Sequence, residues 1–132
     1  MSQRLNFFAA MPGGMKTLLA TSQYVAANLP AALIHLINRR VSQINGCAYC
    51  IDQHTEEALD EGDSYQRLAL LPAWREVDAV FSDRERAALI WAESLTLGAT
   101  TRVPENDFAA ARAFHRQVTG LSDLSCGTDE CL

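Results

Sequence analysis

Residues 44–58 read "INGCAYCIDQHTEEA". Two of the chain's four cysteines and one of its three histidines fall within eight residues of this stretch. Which backbone carries them decides the fold. A Cys-x-x-Cys pair at a helix start also occurs in the thioredoxin arrangement, but that fold needs a strand before the pair, in a βαβ setting. Here the upstream apolar residues are Leu33, Ile34, Leu36, Ile37, Val41 and Ile44. They recur at the spacing of one helix face, and Asn45-Gly46 is a helix stop. The cysteines therefore open one helix directly after another, and the thioredoxin setting is absent.

The same helical period runs outward in both directions. Met15, Leu18, Leu19, Ser22, Val25 and Ala26 predict a helix from about Met15 to Ala27, after the turn residues "MPGG". Pro30 suits the first position of the next helix, which ends at Asn45-Gly46. The cysteine helix runs to about Glu61 and stops at Gly62, and a short helix over Ser64–Leu70 is closed by Pro72. Ser82 with Glu85 three residues on forms a capping box that opens "RERAALIWAESLTLGA", and Pro104 opens "PENDFAAARAFHRQV". Alternating strand patterns are missing. The expectation is all-α: a compact bundle of about six helices in one domain over 1–132. The tail from Gly120, "LSDLSCGTDECL", breaks the period and carries Cys126 and Cys131.

Composition narrows the function classes. With 48% hydrophobic residues in 132, the chain can bury a real core. A formal net charge of −5 gives no basic field for a phosphate backbone, which argues against nucleic acid. No charged head leads into a continuous apolar run at the start, and no window reaches the apolar length of a spanning helix. The expected compartment is the cytoplasm, with no membrane partner. Thiols there are kept reduced, so paired cysteines point to catalysis or metal binding more than to structure.

The spacing says what the cluster can do. Cys47, in the first turn of its helix, lies near unsatisfied N–H groups that lower a thiol pKa. Cys50 is i+3 from Cys47, and such neighbours lie roughly 5–6 Å apart at Cβ. A relaxed disulfide needs about 3.5–4.5 Å, so the pair can close with small adjustment. His54 is i+4 from Cys50 but i+7 from Cys47, about 10.5 Å along the axis. It therefore serves Cys50, as a base for the thiol proton and a counter-charge for the thiolate. Zinc is the main alternative: Cys47, Cys50 and His54 offer three ligands, and Cys126 or Cys131 a fourth. The tight second ligand pair of a usual zinc site is lacking, however. Haem attachment is excluded, because Ile51 stands where that motif needs histidine.

The segments "RRVSQINGCAYCIDQHTEEA", "QRLALLPAWRE" and "FSDRERAALIWAESLT" resemble the alkylhydroperoxidase AhpD-like branch of the carboxymuconolactone decarboxylase family. The resemblance covers about residues 28–118. It implies an all-helical bundle that forms homo-oligomers, commonly trimers or hexamers, through its helices. It also implies a thiol-dependent peroxidase that takes a hydroperoxide substrate and an external thiol or dithiol reductant, with no cofactor and no metal. Carried over by position, Cys50 attacks the peroxide, Cys47 resolves the product to a disulfide, and His54 relays protons. Two other functions stay open: a decarboxylase-like lyase acting on a small lactone acid, and a non-enzymatic redox-sensing or zinc-binding oligomer.

Two departures from the family pattern stand out. Twelve residues before Cys47 the family places a glutamate, where this chain has His35. His35 is either a substitute proton carrier or a plain helix histidine. The tail replaces an apolar helix with "SCGTDECL". Among the remaining residues, Trp74 and Trp91 read as core or interface anchors, Tyr49 as shaping access to the thiols or covering the helix start, and His115 as solvated. The run "TEEALDE" reads as a solvated helix face.

Overall fold

The computed structural model describes residues 5–119, with side chains through Phe114. Cys126, Cys131 and the side chain of His115 lie outside these bounds. The described residues form eight α-helices and one 3-10 segment, and contain no strand. The all-α expectation is met, while the count of about six is too low. The extra helices, α1 (Phe7–Ala10) and α7 (Gly98–Thr101), have four residues each. One turn is too short to leave a periodic signature.

The other boundaries follow local chemistry. Helix α2 (Pro12–Asn28) starts before Met15, because Pro12 carries the pre-set φ of a first helical residue. Helix α3 (Ala31–Asn45) uses Pro30 as its extended N-cap, not as its first helical residue. Its end is a Schellman turn: Cys47 N–H reaches Ser42 O and Gly46 N–H reaches Gln43 O. Gly46 sits at φ 64°, the left-handed conformation that a side chain would strain. Helix α4 (Ala48–Asp60) follows at once. Helix α5 (Tyr65–Leu70), capped by Ser64, runs into a 3-10 segment over Leu71–Glu76. Helix α5 thus ends at Leu70 as expected, and Pro72 sits in the first turn of the 3-10 segment, where no N–H is needed from it. Helix α6 (Asp83–Thr96) opens on the expected capping box of Ser82 and Glu85. Helix α8 (Glu105–Thr119) follows Pro104.

Helix α3 is the central element. It packs against α4 on one side and α6 on the other, and α8 lies on α6. The core gathers Leu36 from α3, Leu71 and Trp74 from the 3-10 segment, Phe81, and Leu89 from α6, all nearly inaccessible to water. Trp74 is thus a core anchor. Trp91 is half-buried against Phe108 of α8, their ring centroids 5.5 Å apart.

Buried polar groups bind the elements together around this core. Glu93 on α6 accepts Arg40 Nε at 2.6 Å and Trp74 Nε1 at 2.9 Å, and also pairs with Arg75. Its carboxyl is pulled in two directions. Burial alone would raise its pKa, but the hydrogen bonds from Trp74, Arg75 and Arg40 outweigh this and hold it below the ordinary value. Arg39, next in the chain to Arg40, points the other way, to Thr55 Oγ1 at 2.9 Å on α4 and to Leu68 O at 2.7 Å on α5. Two consecutive arginines on α3 thereby tie it to both flanks.

The arm formed by α1 and α2 differs from the rest. It has no buried residue, and Phe7, Phe8, Met11, Leu18 and Tyr24 on it are all more than half exposed. Among the described residues, no helix is long and apolar enough to cross a membrane.

Candidate active site

The hairpin of α3 and α4 builds the site. Cys47 does not lie in the first helical turn as expected. It is the N-cap, with extended backbone, and its Sγ accepts the Cys50 N–H at 3.3 Å. Sulfur here takes the role usually filled by a serine or aspartate oxygen. Cys50 is then the third helical residue, among amides with no helical partner. The two cysteines are joined as a disulfide, with Cα atoms 5.4 Å apart, inside the span that a disulfide accepts.

One turn on from Cys50, His54 presents Nδ1 to Glu57 Oε2 at 2.7 Å. Glu57 also accepts Gln53 Nε2 at 2.9 Å. The Gln53 and His54 hydrogen bonds, helped by the two neighbouring imidazoles, lower its pKa. An ionised carboxylate can only accept, so the His54 contact requires the proton on Nδ1. A neutral His54 therefore keeps the Nε2 lone pair for another donor. This is the orientation logic of a nucleophile–histidine–carboxylate arrangement.

His35, on α3, joins the same group. Its Nδ1 lies 3.2 Å from Glu57 Oε2, but the alignment is not that of a hydrogen bond, and this buried nitrogen has no other partner. His35, His54 and Glu57 offer ligand atoms all within 4.8 Å of one another. The reading of "TEEALDE" as a solvated face is thus corrected at Glu57, while Glu56, Asp60 and Glu61 are exposed as expected. The spacing carried the signal: Glu57 is i+3 from His54 and i+7 from Cys50. Position 35 holds no carboxylate, but Glu57 of α4 brings one beside it. Tyr49, 76% exposed, does not close over the helix start.

A cavity of about 420 Å³ lies elsewhere, between α3, α6 and α8. Leu33, Ile37, Trp91, Leu95, Phe108 and Phe114 line it, and none of the cysteine–histidine group does. This hollow is thus separate from the thiols. Besides these apolar side chains, Arg84 and Arg112 also line it.

Comparison with known proteins agrees with this architecture. Residues 12–94 match the carboxymuconolactone decarboxylase family. The uncharacterized protein YdfG of Bacillus subtilis (strain 168) is 40% identical over 113 residues, covering 85% of this chain and 76% of YdfG. The crystal structure of ATU0492 from Agrobacterium tumefaciens superposes with a TM-score of 0.75 at 38% identity, covering 86% of this chain and 77% of that one. ATU0492 is a protein of unknown function for which an AhpD antioxidant-defence role has been suggested. By its sequence, its helical hairpin and its paired cysteines, the chain belongs to the carboxymuconolactone decarboxylase family and is AhpD-like within it.

Proposed function

We propose that the protein is a thiol-dependent peroxidase that reduces hydroperoxides through Cys50 and Cys47. The observation that carries this reading is the Cys47–Cys50 disulfide at the start of α4, one turn from a histidine held by a carboxylate. The antioxidant role suggested for ATU0492 points the same way. In the cycle, His54 Nε2 takes the Cys50 thiol proton. The thiolate attacks one peroxide oxygen, the O–O bond breaks, and the alcohol leaves with a proton from the imidazolium. Cys50 is then a sulfenic acid. The Cys47 thiol displaces its hydroxyl as water, forming the disulfide. An external dithiol reopens the disulfide and is itself oxidised. The lyase alternative makes no use of the cysteine pair. Peroxide consumption measured against a panel of thiol and dithiol reductants tests the proposal; no reductant-dependent consumption with any of them overturns it.

Glu57 acts here as a positioning residue, through His54. Glu57→Gln is expected to slow peroxide consumption by about tenfold to a hundredfold, less than the roughly 100- to 10,000-fold that a positioned acid or base itself contributes, because Glu57 acts only through His54. It should also displace the pH profile of Cys50 alkylation while leaving the melting temperature nearly unchanged. A merely structural Glu57 would show the reverse pattern.

The reading includes assembly. Leu95 and Leu97 on the α6 side are 51% and 44% exposed, and no residue of α1 or α2 is fully buried. Each large apolar side chain left in water forgoes roughly 1.5–3 kcal/mol. A closed symmetric homo-oligomer, of three or six subunits by family likeness, covers such surface. Light scattering in reducing buffer is expected to give a multiple of the 14.5 kDa chain mass; a single chain mass would refute the assembly.

A further inference from the structure

We propose that His35, His54 and Glu57 form a binding site for a zinc-type divalent cation, and that filling it switches off the Cys50 chemistry. The binding half stands on geometry alone. The switching half rests on the peroxidase reading above.

Two imidazole nitrogens and a carboxylate oxygen make a zinc donor set, with an open fourth position for water. Around a tetrahedral zinc with bonds of about 2.0–2.1 Å, ligand atoms lie about 3.3 Å apart. The structure puts Glu57 Oε2 at 3.2 Å from His35 Nδ1 and at 2.7 Å from His54 Nδ1, with no pair wider than 4.8 Å. Side-chain adjustment alone spans the difference. The donors come from two packed helices, His35 from α3 and the other two from α4, so the backbone already holds them together.

His35 Nδ1 provides the second observation. It is buried, has no hydrogen-bond partner, and faces a carboxylate without bonding it. A buried polar atom left this way is costly, and a cation between it and Glu57 would satisfy it. The cluster is still open enough for an ion to enter: the side chains of His35, His54 and Glu57 are 19%, 21% and 35% exposed.

Occupancy changes which nitrogen of His54 carries the proton. Without the cation, Nδ1–H donates to Glu57 and Nε2 is basic. A cation on Nδ1 takes that lone pair, so the neutral ring must carry its proton on Nε2. His54 then has no site left to accept the Cys50 proton, and Glu57 no longer orients it. The same three residues serve thiol activation when empty and block it when filled.

The test uses full-length protein carrying Cys126→Ser and Cys131→Ser, so that tail thiols supply no ligands. In its oxidised form Cys47 and Cys50 are bonded to each other and also cannot bind. Calorimetric titration with Zn²⁺ is expected to show one ion per chain. Glu57→Gln and His35→Ala should each weaken binding at least about tenfold, and Glu56→Gln, on the exposed side of α4, should not. Circular dichroism confirms that each variant is folded. Absence of saturable binding, or equal binding by all variants, overturns the site. For the switch, peroxide consumption by reduced protein is titrated with Zn²⁺. Inhibition should need at least about tenfold more zinc in His35→Ala. Equal inhibition of both proteins assigns the effect to the thiols and overturns the switch. Loss of the peroxidase reading itself would leave the oxidised-protein titration intact.

Discussion

Cys50→Ser is expected to consume peroxide at least about a thousandfold more slowly than the wild type, because it removes the attacking atom itself. Cys47→Ser should behave differently. Its first turnover should proceed, since Cys50 and His54 remain. It should then stall at the sulfenic acid, which a trapping dione can label. The contrast follows from reach: His54 lies one turn from Cys50 and two from Cys47. An ordinary thiol is only about 3% ionised at neutral pH, so a nearby base and the helix-start amides matter to the rate. Single-turnover kinetics on both variants decide the matter. A first turnover retained by Cys50→Ser and lost by Cys47→Ser would reverse the two roles. In the wild type, mass spectrometry of alkylated protein should show both thiols disappearing together after peroxide and returning together after a dithiol.

Glu93→Ala is expected to destabilise the fold by about 3–5 kcal/mol. Its removal would leave Arg40 and the Trp74 indole N–H without their buried partner. That is a large share of the roughly 5–15 kcal/mol that holds a domain folded. Thermal unfolding should fall by about 10–20 °C. Glu93→Gln, which keeps an acceptor for Trp74, should lie between. The pH dependence has a fixed sign. The folded pKa of Glu93 is lowered, so its contribution is complete above the ordinary carboxyl range and fades as pH drops through the lowered value. The wild type should therefore lose stability in acid more steeply than Glu93→Gln. Parallel acid curves for the two proteins would show that the network adds nothing.

The site hairpin was legible in the sequence because its signals are local. Gly46 marks the end of α3, and Cys47, Cys50 and His54 lie on one stripe of α4. The cap role of Cys47 was off by one residue, since a cap and a first helical position look alike without backbone angles. Glu57 lies on the same stripe, yet it was hidden among Glu56, Asp60 and Glu61, which look equally solvated. Its hydrogen bond with His54 and the approach of His35 from another helix set it apart. Glu93 was hidden for a related reason. A lone acid in "ALIWAESLTL" reads as a solvent-facing residue, and its partner Arg40 is 53 positions away. Helices α1 and α7 are single turns, too short for a periodic pattern of their own.

The whole reactive group, from His35 to Glu57, occupies 23 consecutive residues joined by one left-handed glycine. Contacts so close in the chain cost little loop entropy. The network around Glu93 must wait for distant segments to meet. The α3–α4 hairpin thus brings its reactive groups together from within one short segment. Opening and closing the bond between Cys47 and Cys50, three residues apart, therefore requires no distant segment to approach either sulfur.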